Sequence, residues 1–364
     1  MEICGVDGVV LSDQTNIEYF LGYFTLTWQY KSRPLFAYIS KKDAVLIAAK
    51  TEKRNLDQER RVFDVSFYDG FLEEASCCVA NEVKARHEND HIVIALDHGQ
   101  DFFGRGSLTL TASLERLSAS TELRSAEDVI WPVRMISSPF EVALKREAFF
   151  IVNNAFDQVI SEAGIGISEL ELYRKIQAKF FELGADSAPP IAMSFGKGDI
   201  VYNRPPTERR LTEGDYVWTD FRATVGRYPA DRNRIARAGH PNSEEIELYS
   251  KVRHITVELC KSIRPGEMTG DVFERYLALW KQQNLPPPYK YLNRIGHGGG
   301  RDVTEPPSIS RNGTENIQAG MILHLEPKLE FGNAVFQFEE IVHVGKNQND
   351  FLSALSPERV PVIL

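Results

Sequence analysis

Residues 215–231, Asp215-Tyr216-Val217-Trp218-Thr219-Asp220-Phe221-Arg222-Ala223-Thr224-Val225-Gly226-Arg227-Tyr228-Pro229-Ala230-Asp231, read as two strands closing on a turn. Aromatic and β-branched residues fill the strand-like stretch 214–222, 227–236 is its strand-like return, and Gly226 lies at the turn. A symmetrical hairpin centred between Val225 and Gly226 sets Asp220 directly across from Asp231. Opposed residues have Cβ atoms ~4.5–5.5 Å apart, where two like charges destabilise a sheet unless something positive lies between them. A divalent cation reverses the sign of that interaction.

Working outward, 320–329 and 334–344 also read as strands, and 140–163, 168–184, 243–262 and 269–284 as amphipathic helices opened by Ser138, Ser168, Ser243 and Thr269. Ser138 as N-cap, Pro139 at the first helical position and Glu141 three residues after Ser138 form a capping box a few residues after Pro132. This punctuation predicts a domain boundary, with an N-terminal domain over 1–133 and a C-terminal domain over 134–364. Before it, the apolar runs 8–11, 35–39, 44–48 and 92–96 alternate with helix-compatible segments at 71–87 and 108–118, the pattern of an α/β domain. After it, helices alternate with hairpins, which predicts an α+β domain.

Composition narrows the function classes. With 43% hydrophobic and 26% charged residues over 364 positions, the chain is neither disordered nor collagenous. Its net charge of −9 lacks the basic footprint of a nucleic-acid binder. No run approaches the ~18–20 apolar residues of a membrane span, and Met1-Glu2-Ile3-Cys4-Gly5 carries an acid where a signal peptide carries bases. A cytoplasmic protein with no membrane or nucleic-acid partner is expected. The four cysteines, Cys4, Cys77, Cys78 and Cys260, have neither the number nor the spacing of a disulfide framework.

More metal-type donors follow the hairpin. His297 lies in Gly296-His297-Gly298-Gly299-Gly300, Glu326 precedes Pro327 at the end of a strand, and Glu339 lies in the late stretch Phe336-Gln337-Phe338-Glu339-Glu340. Four carboxylates and one imidazole suit a pair of divalent ions such as Mn, Fe, Co or Zn. The glycine run lacks the Lys-Ser/Thr of a P-loop. Glu340 rivals Glu339, but strand alternation puts Glu340 on the more apolar face with Phe338, Val342 and Val344.

The order and flanks of these residues resemble the pita-bread metallohydrolases, the family of prolidase, aminopeptidase P, methionine aminopeptidase and creatinase. Its five ligands run Asp, Asp eleven positions on, His in Gly-His-Gly, Glu before Pro, and Glu in a late strand; Asp220, Asp231, His297, Glu326 and Glu339 match. Leu211-Thr212-Glu213-Gly214-Asp215, Gly320-Met321, the junction residues Trp131, Arg134, Ser138, Pro139 and Glu141, and Asn16-Ile17-Glu18-Tyr19-Phe20-Leu21-Gly22 resemble further family motifs, so the likeness spans the chain. It implies an N-terminal creatinase/prolidase-type α/β domain and a C-terminal pita-bread domain, an antiparallel sheet flanked by helices. It also implies two divalent ions with manganese as the first choice, a homodimer, and hydrolysis of an amide-like C–N bond in a dipeptide or small molecule. In such a site Glu326 receives the proton of the attacking water.

Departures from the family pattern surround that core. Two histidines of the peptidases are replaced, one by Asn203 in Asn203-Arg204-Pro205-Pro206 and one by Thr304 before Glu305-Pro306. Both replacements can hydrogen-bond but neither shuttles a proton near neutral pH. Arg222 and Lys328 stand where Gly is usual, and His324 where Ser or Thr is usual. These residues predict substrate contacts from Arg222, Lys328, Asn203 and Thr304, with His324 supplying the proton transfer of the missing histidines. Two alternatives to a peptidase follow: a hydrolase or lyase of a small anionic N-acyl or cyclic amino-acid derivative, and a catalytically silent binding or regulatory homologue.

Overall fold

The computed structural model describes residues 1–58, 60–88, 91–98, 106–118, 120–289 and 293–364. The chain forms two compact units, Met1–Val133 and Arg134–Leu364. Among the described residues no helix is long and apolar enough to cross a membrane.

In the first unit β1 (Gly8–Leu11), α1 (Gln14–Leu21), β2 (Phe36–Ser40), β3 (Ala44–Ala49), α2 (Lys53–Leu56), β4 (Asp64–Tyr68), α3 (Leu72–Ala85), β5 (His91–Leu96), α4 (Leu108–Glu115), β6 (Ser120–Ser125) and α5 (Glu127–Arg134) follow one another, α5 ending on the first residue of the second unit. The strands make one mixed sheet in the order β4-β3-β2-β1-β5-β6. The apolar runs read from the sequence form its interior strands, because residues such as Val10, Tyr38, Leu46 and Ile94 lose all contact with water there. β4 and β6, more polar and at the two edges, lie outside those runs.

The second unit opens with α6 (Pro139–Glu162) and α7 (Glu169–Glu182), each started by a capping box, on Ser138 and Ser168. Then come β7 (Ala192–Gly196), β8 (Tyr216–Phe221), β9 (Thr224–Val225), β10 (Tyr228–Pro229), β11 (Arg232–Ala238), α8 (Ser243–Ser262), α9 (Thr269–Gln282), β12 (Arg294–Gly298), β13 (Glu305–Ser310), β14 (Ile322–Leu325), β15 (Lys328–Phe331), β16 (Ala334–Gln337), β17 (Glu340–His343), β18 (Asp350–Phe351) and β19 (Val362–Ile363). Two expected helix openers shift by one residue. Asn242, with Glu245 as its reciprocal partner, caps α8 in place of Ser243, and Met268 precedes α9 without a side-chain cap, where Thr269 was expected.

Two sheets, β19-β11-β8-β7 and β13-β12-β14-β17-β18, are antiparallel except for the β11–β19 pair. Helices α6 and α7 pack an apolar layer of Phe149, Val152, Phe156, Leu172, Ile176 and Phe180 with Phe195, Val217 and Phe221. Helices α8 and α9 do the same with Val252, Ile255, Val272 and Tyr276 against Ile295, Leu323, Phe336 and Phe338. This is an antiparallel pita-bread arrangement, and β8, β11, β12 and β14 bring the sequence-predicted donors together.

Candidate metal centre

The hairpin that holds the first two donors is offset from the symmetrical reading. Its turn is Gly226-Arg227, both with positive φ (53° and 66°), closed by Val225 opposite Tyr228. These are the dihedral signs of a type I′ turn, whose twist matches the flanking strands. Asp220 therefore pairs with Asn233, and Asp231 lies just before β11 instead of directly opposite Asp220. The two aspartates still line one cavity, because the offset is two residues and preserves the face.

His297 arrives on β12, between Gly296 and Gly298. A side chain at Gly296 would meet the His324 carbonyl oxygen at 2.1 Å, and one at Gly298 the Pro306 carbonyl oxygen at 2.1 Å. The glycines let three strands close around the imidazole. Glu326 follows β14 and Glu339 precedes β17.

Asp220, Asp231, His297, Glu326 and Glu339 all line a cavity of about 310 Å³, together with Asn203, Arg222, Thr304, Lys328, Arg294, Tyr202, Trp218, Tyr289 and Gln337. His297 Nδ1 donates to the Gly298 carbonyl at 2.9 Å, so Nε2 presents a lone pair. That lone pair faces Asp231 Oδ2 at 3.5 Å and Glu326 Oε1 at 3.8 Å. Acceptors confronting acceptors fit an intervening cation. Burial first, then mutual repulsion, lifts Asp231 and Glu339 well above the usual carboxylate range, and burial lifts Asp220 and Glu326 as well. Burial, reinforced by the charge of Arg294, pushes His297 down to about 3, so the imidazole is neutral. Asp231, His297, His324 and Glu339 offer four donor atoms within 4.8 Å of one another. A donor set of buried carboxylates and neutral imidazole suits a divalent ion.

His324 does not line the cavity and is 0% exposed. Its Nδ1 donates to Glu339 Oε1 at 2.7 Å, and its ring stacks on His297 at 4.9 Å between centroids, 14° from parallel. From this place, off the cavity wall and bonded to Glu339, the imidazole is set to orient that carboxylate. Lys328 lines the cavity, but its ammonium lies 3.5 Å over the Tyr202 ring, with Tyr289 at 5.0 Å and Trp218 at 5.5 Å. Aromatic faces hold that charge, and burial pushes the amine down to about 8.

Several supporting residues carried no signal in the sequence reading. Asn233 N–H donates to Glu339 Oε2 at 2.5 Å. Trp218 Nε1 donates to Gln337 Oε1 at 2.8 Å, and Gln337 Nε2 donates to Glu326 Oε2 at 3.2 Å. Lys145, fully buried on α6, donates to the Pro229 carbonyl at 2.7 Å. Arg294 reaches the cavity from the start of β12. Only long-range pairing, which depends on the register, makes these residues visible. Glu340, the rival of Glu339, turns away and pairs with Arg232 at 2.9 Å.

Comparison with known proteins agrees with this fold. The chain is 24% identical over 329 residues to the uncharacterized peptidase YqhT of Bacillus subtilis (strain 168), covering 89% of this chain and 86% of that protein. It is 24% identical over 225 residues to a Xaa-Pro dipeptidase of Pyrococcus furiosus, covering 62% and 64%. The fold superimposes on the X-Pro aminopeptidase from Thermotoga maritima MSB8 with a TM-score of 0.81 at 19% identity, over 100% of this chain and 97% of that one. Residues 1–136 match the creatinase/prolidase N-terminal domain and residues 143–346 match metallopeptidase family M24, the family to which this chain belongs.

Proposed function

We propose that the protein is a metal-dependent hydrolase of an amide-type C–N bond, with Asp220, Asp231, His297, Glu326 and Glu339 holding two divalent ions, manganese first and cobalt, zinc or iron as alternatives. The observation that carries this reading is the lone pair of His297 Nε2 turned toward the oxygens of Asp231 and Glu326. Bound there, divalent ions supply the Lewis acidity that polarises an amide carbonyl and lets water attack near neutral pH.

The chain's own residues divide the remaining work. Glu326, half-buried and steadied at Oε2 by Gln337, is placed to take the proton of the attacking water at Oε1. Asn203 and Thr304 line the same cavity and can hydrogen-bond a substrate carbonyl or amide. Neither titrates near neutral pH, so Glu326 must also return the proton to the leaving nitrogen. Asn233 and His324 fix the two oxygens of Glu339 from behind.

The names of the relatives point to a dipeptide with proline after the scissile bond. Asn203 and Thr304 favour a second reading, a small N-acylated or cyclic amino-acid derivative that needs less help at the leaving group. A homodimer in the cytoplasm remains part of the proposal. Metal analysis followed by Xaa-Pro and N-acyl-amino-acid panels with added Mn²⁺ tests it. About two ions per chain with turnover of either panel is the expected result. A metal content far below one ion per chain overturns the site, and loaded protein inert on both panels leaves a binding homologue.

A further inference from the structure

Asp220, Asp231, Glu326 and Glu339 are the four carboxylates of the cavity, and Arg222, Arg294 and Lys328 are its cations. Lys328 is already engaged by three aromatic faces. Arg222 and Arg294 differ from it. They lie at the cavity wall, half-buried, one just past the end of β8 and the other at the start of β12, and neither hydrogen-bonds or ion-pairs with any described residue. A guanidinium is a planar fork of donors that matches a carboxylate with two parallel bonds. Two half-buried arginines without protein acceptors, in a cavity of small-molecule size, are therefore donors waiting for a ligand.

Charge balance favours the same conclusion. If two divalent ions neutralise the four carboxylates, no acid of the cavity is left to compensate the arginines, and their counter-charge must enter with the substrate. The two guanidinium groups project from different strands, one beside Asp220 and one beside His297 in sequence. A monocarboxylate brings one negative charge for two guanidinium groups, and a dicarboxylate brings one for each.

We propose that Arg222 and Arg294 clamp a dianionic substrate, an amide carrying two carboxylates such as an N-acylated acidic amino acid or a dipeptide with an acidic side chain. This rests on the hydrolase reading for the amide and on the two arginines alone for the acid groups. Glutarate, which has two carboxylates and no bond to hydrolyse, separates the two. On Mn²⁺-loaded protein, calorimetry is expected to show glutarate binding at least tenfold more tightly than butyrate. Arg222→Gln and Arg294→Gln should each weaken glutarate about ten- to a hundredfold, the scale of a lost charge-assisted pair. Arg222→Lys and Arg294→Lys, which keep the charge but lose the fork, should fall between, and all four should keep the parent's metal content by elemental analysis. Equal affinity for glutarate and butyrate overturns the clamp, as does glutarate affinity indifferent to both arginines. Metal content falling in step with glutarate affinity also overturns it, since the arginines would then serve the acids. Intact arginine-dependent glutarate binding in a protein that hydrolyses no amide upholds the clamp and sinks the hydrolase reading.

Discussion

Glu339 and Glu340 are neighbours in sequence and both are almost free of water contact, yet they sit in opposite electrostatic surroundings. Glu340 meets Arg232 at 2.9 Å and accepts the Ser356 N–H at 2.8 Å; burial alone would raise its carboxyl, but these partners hold it below the usual carboxylate range. Glu339 faces Asp231, Asp220 and Glu326, and burial together with their charges drives it far above that range. The contrast extends to whole regions. Around the cavity, Glu305 is paired with Arg134 and Glu169 with Arg204 at 2.7 Å, while the cavity floor gathers carboxylates that, among the described residues, pair with no lysine or arginine. The fold can neutralise buried acids with arginine, and does so where the acid serves structure. Where it leaves them uncompensated, a ligand must bring the charge.

The largest test of that contrast removes the compensated acid. Glu340→Gln leaves Arg232 buried with an unpaired charge and should cost about 3–5 kcal/mol, read as a lower urea midpoint. Glu339→Gln removes repulsion instead, so the metal-free protein should keep or gain stability while metal binding is lost. A Glu339→Gln protein as destabilised as Glu340→Gln would erase the distinction.

Metal removal and pH should give the next largest effect. Asp231 and Glu339 have raised values in the folded state, so the metal-free fold binds more protons than the unfolded chain. Their contribution is complete below the ordinary carboxylate value of about 4 and is lost as pH rises through the raised values. Glu340 and Glu169, whose values are lowered, act with the opposite sign and lose their contribution as pH falls through those lowered values. The Tm gap between Mn²⁺-loaded and chelator-treated protein should therefore widen from pH 5 to pH 8. A gap independent of pH would mean that the acids of the cavity floor are not what the ions relieve.

How much of this was legible in sequence depended on whether a signal was local. Capping boxes at Ser138 and Ser168, the apolar runs of the first sheet and the order of the five donors are all written within a few residues of themselves. The register of the hairpin was not. Placing Asp231 directly across from Asp220 required a turn at Val225-Gly226, but the positive φ at both Gly226 and Arg227 moves the turn one residue on. Glycine flanking His297 was equally ambiguous, since Gly296-His297-Gly298 resembles a loop until the carbonyls of His324 and Pro306 are known to crowd it. Nor does anything local in sequence say that His324 is fully buried and stacked on His297. Gln337 owes its importance to Trp218 and Glu326, both more than ten residues away, which no local pattern encodes.

The smallest predicted effect sharpens the comparison from the catalytic side. Among the described residues Glu326 is the one cavity carboxylate steadied by a side-chain amide, that of Gln337, whose own oxygen is anchored by Trp218. A neutral donor can aim a carboxylate without supplying the full charge that would compete with a metal ion, which an arginine at the same place would do. Gln337→Leu removes the aim and leaves the metal donors in place. It should lower kcat about tenfold, the scale of one hydrogen bond to a charged group, with KM and metal content close to the parent's. The Trp218 N–H is left without its acceptor, so a loss of about 1–3 kcal/mol of stability should accompany it. Gln337→Glu places a further acid among the four and should restore neither, because it adds the repulsion that the floor already carries. Wild-type kcat in Gln337→Leu would show that the metal ions alone orient Glu326.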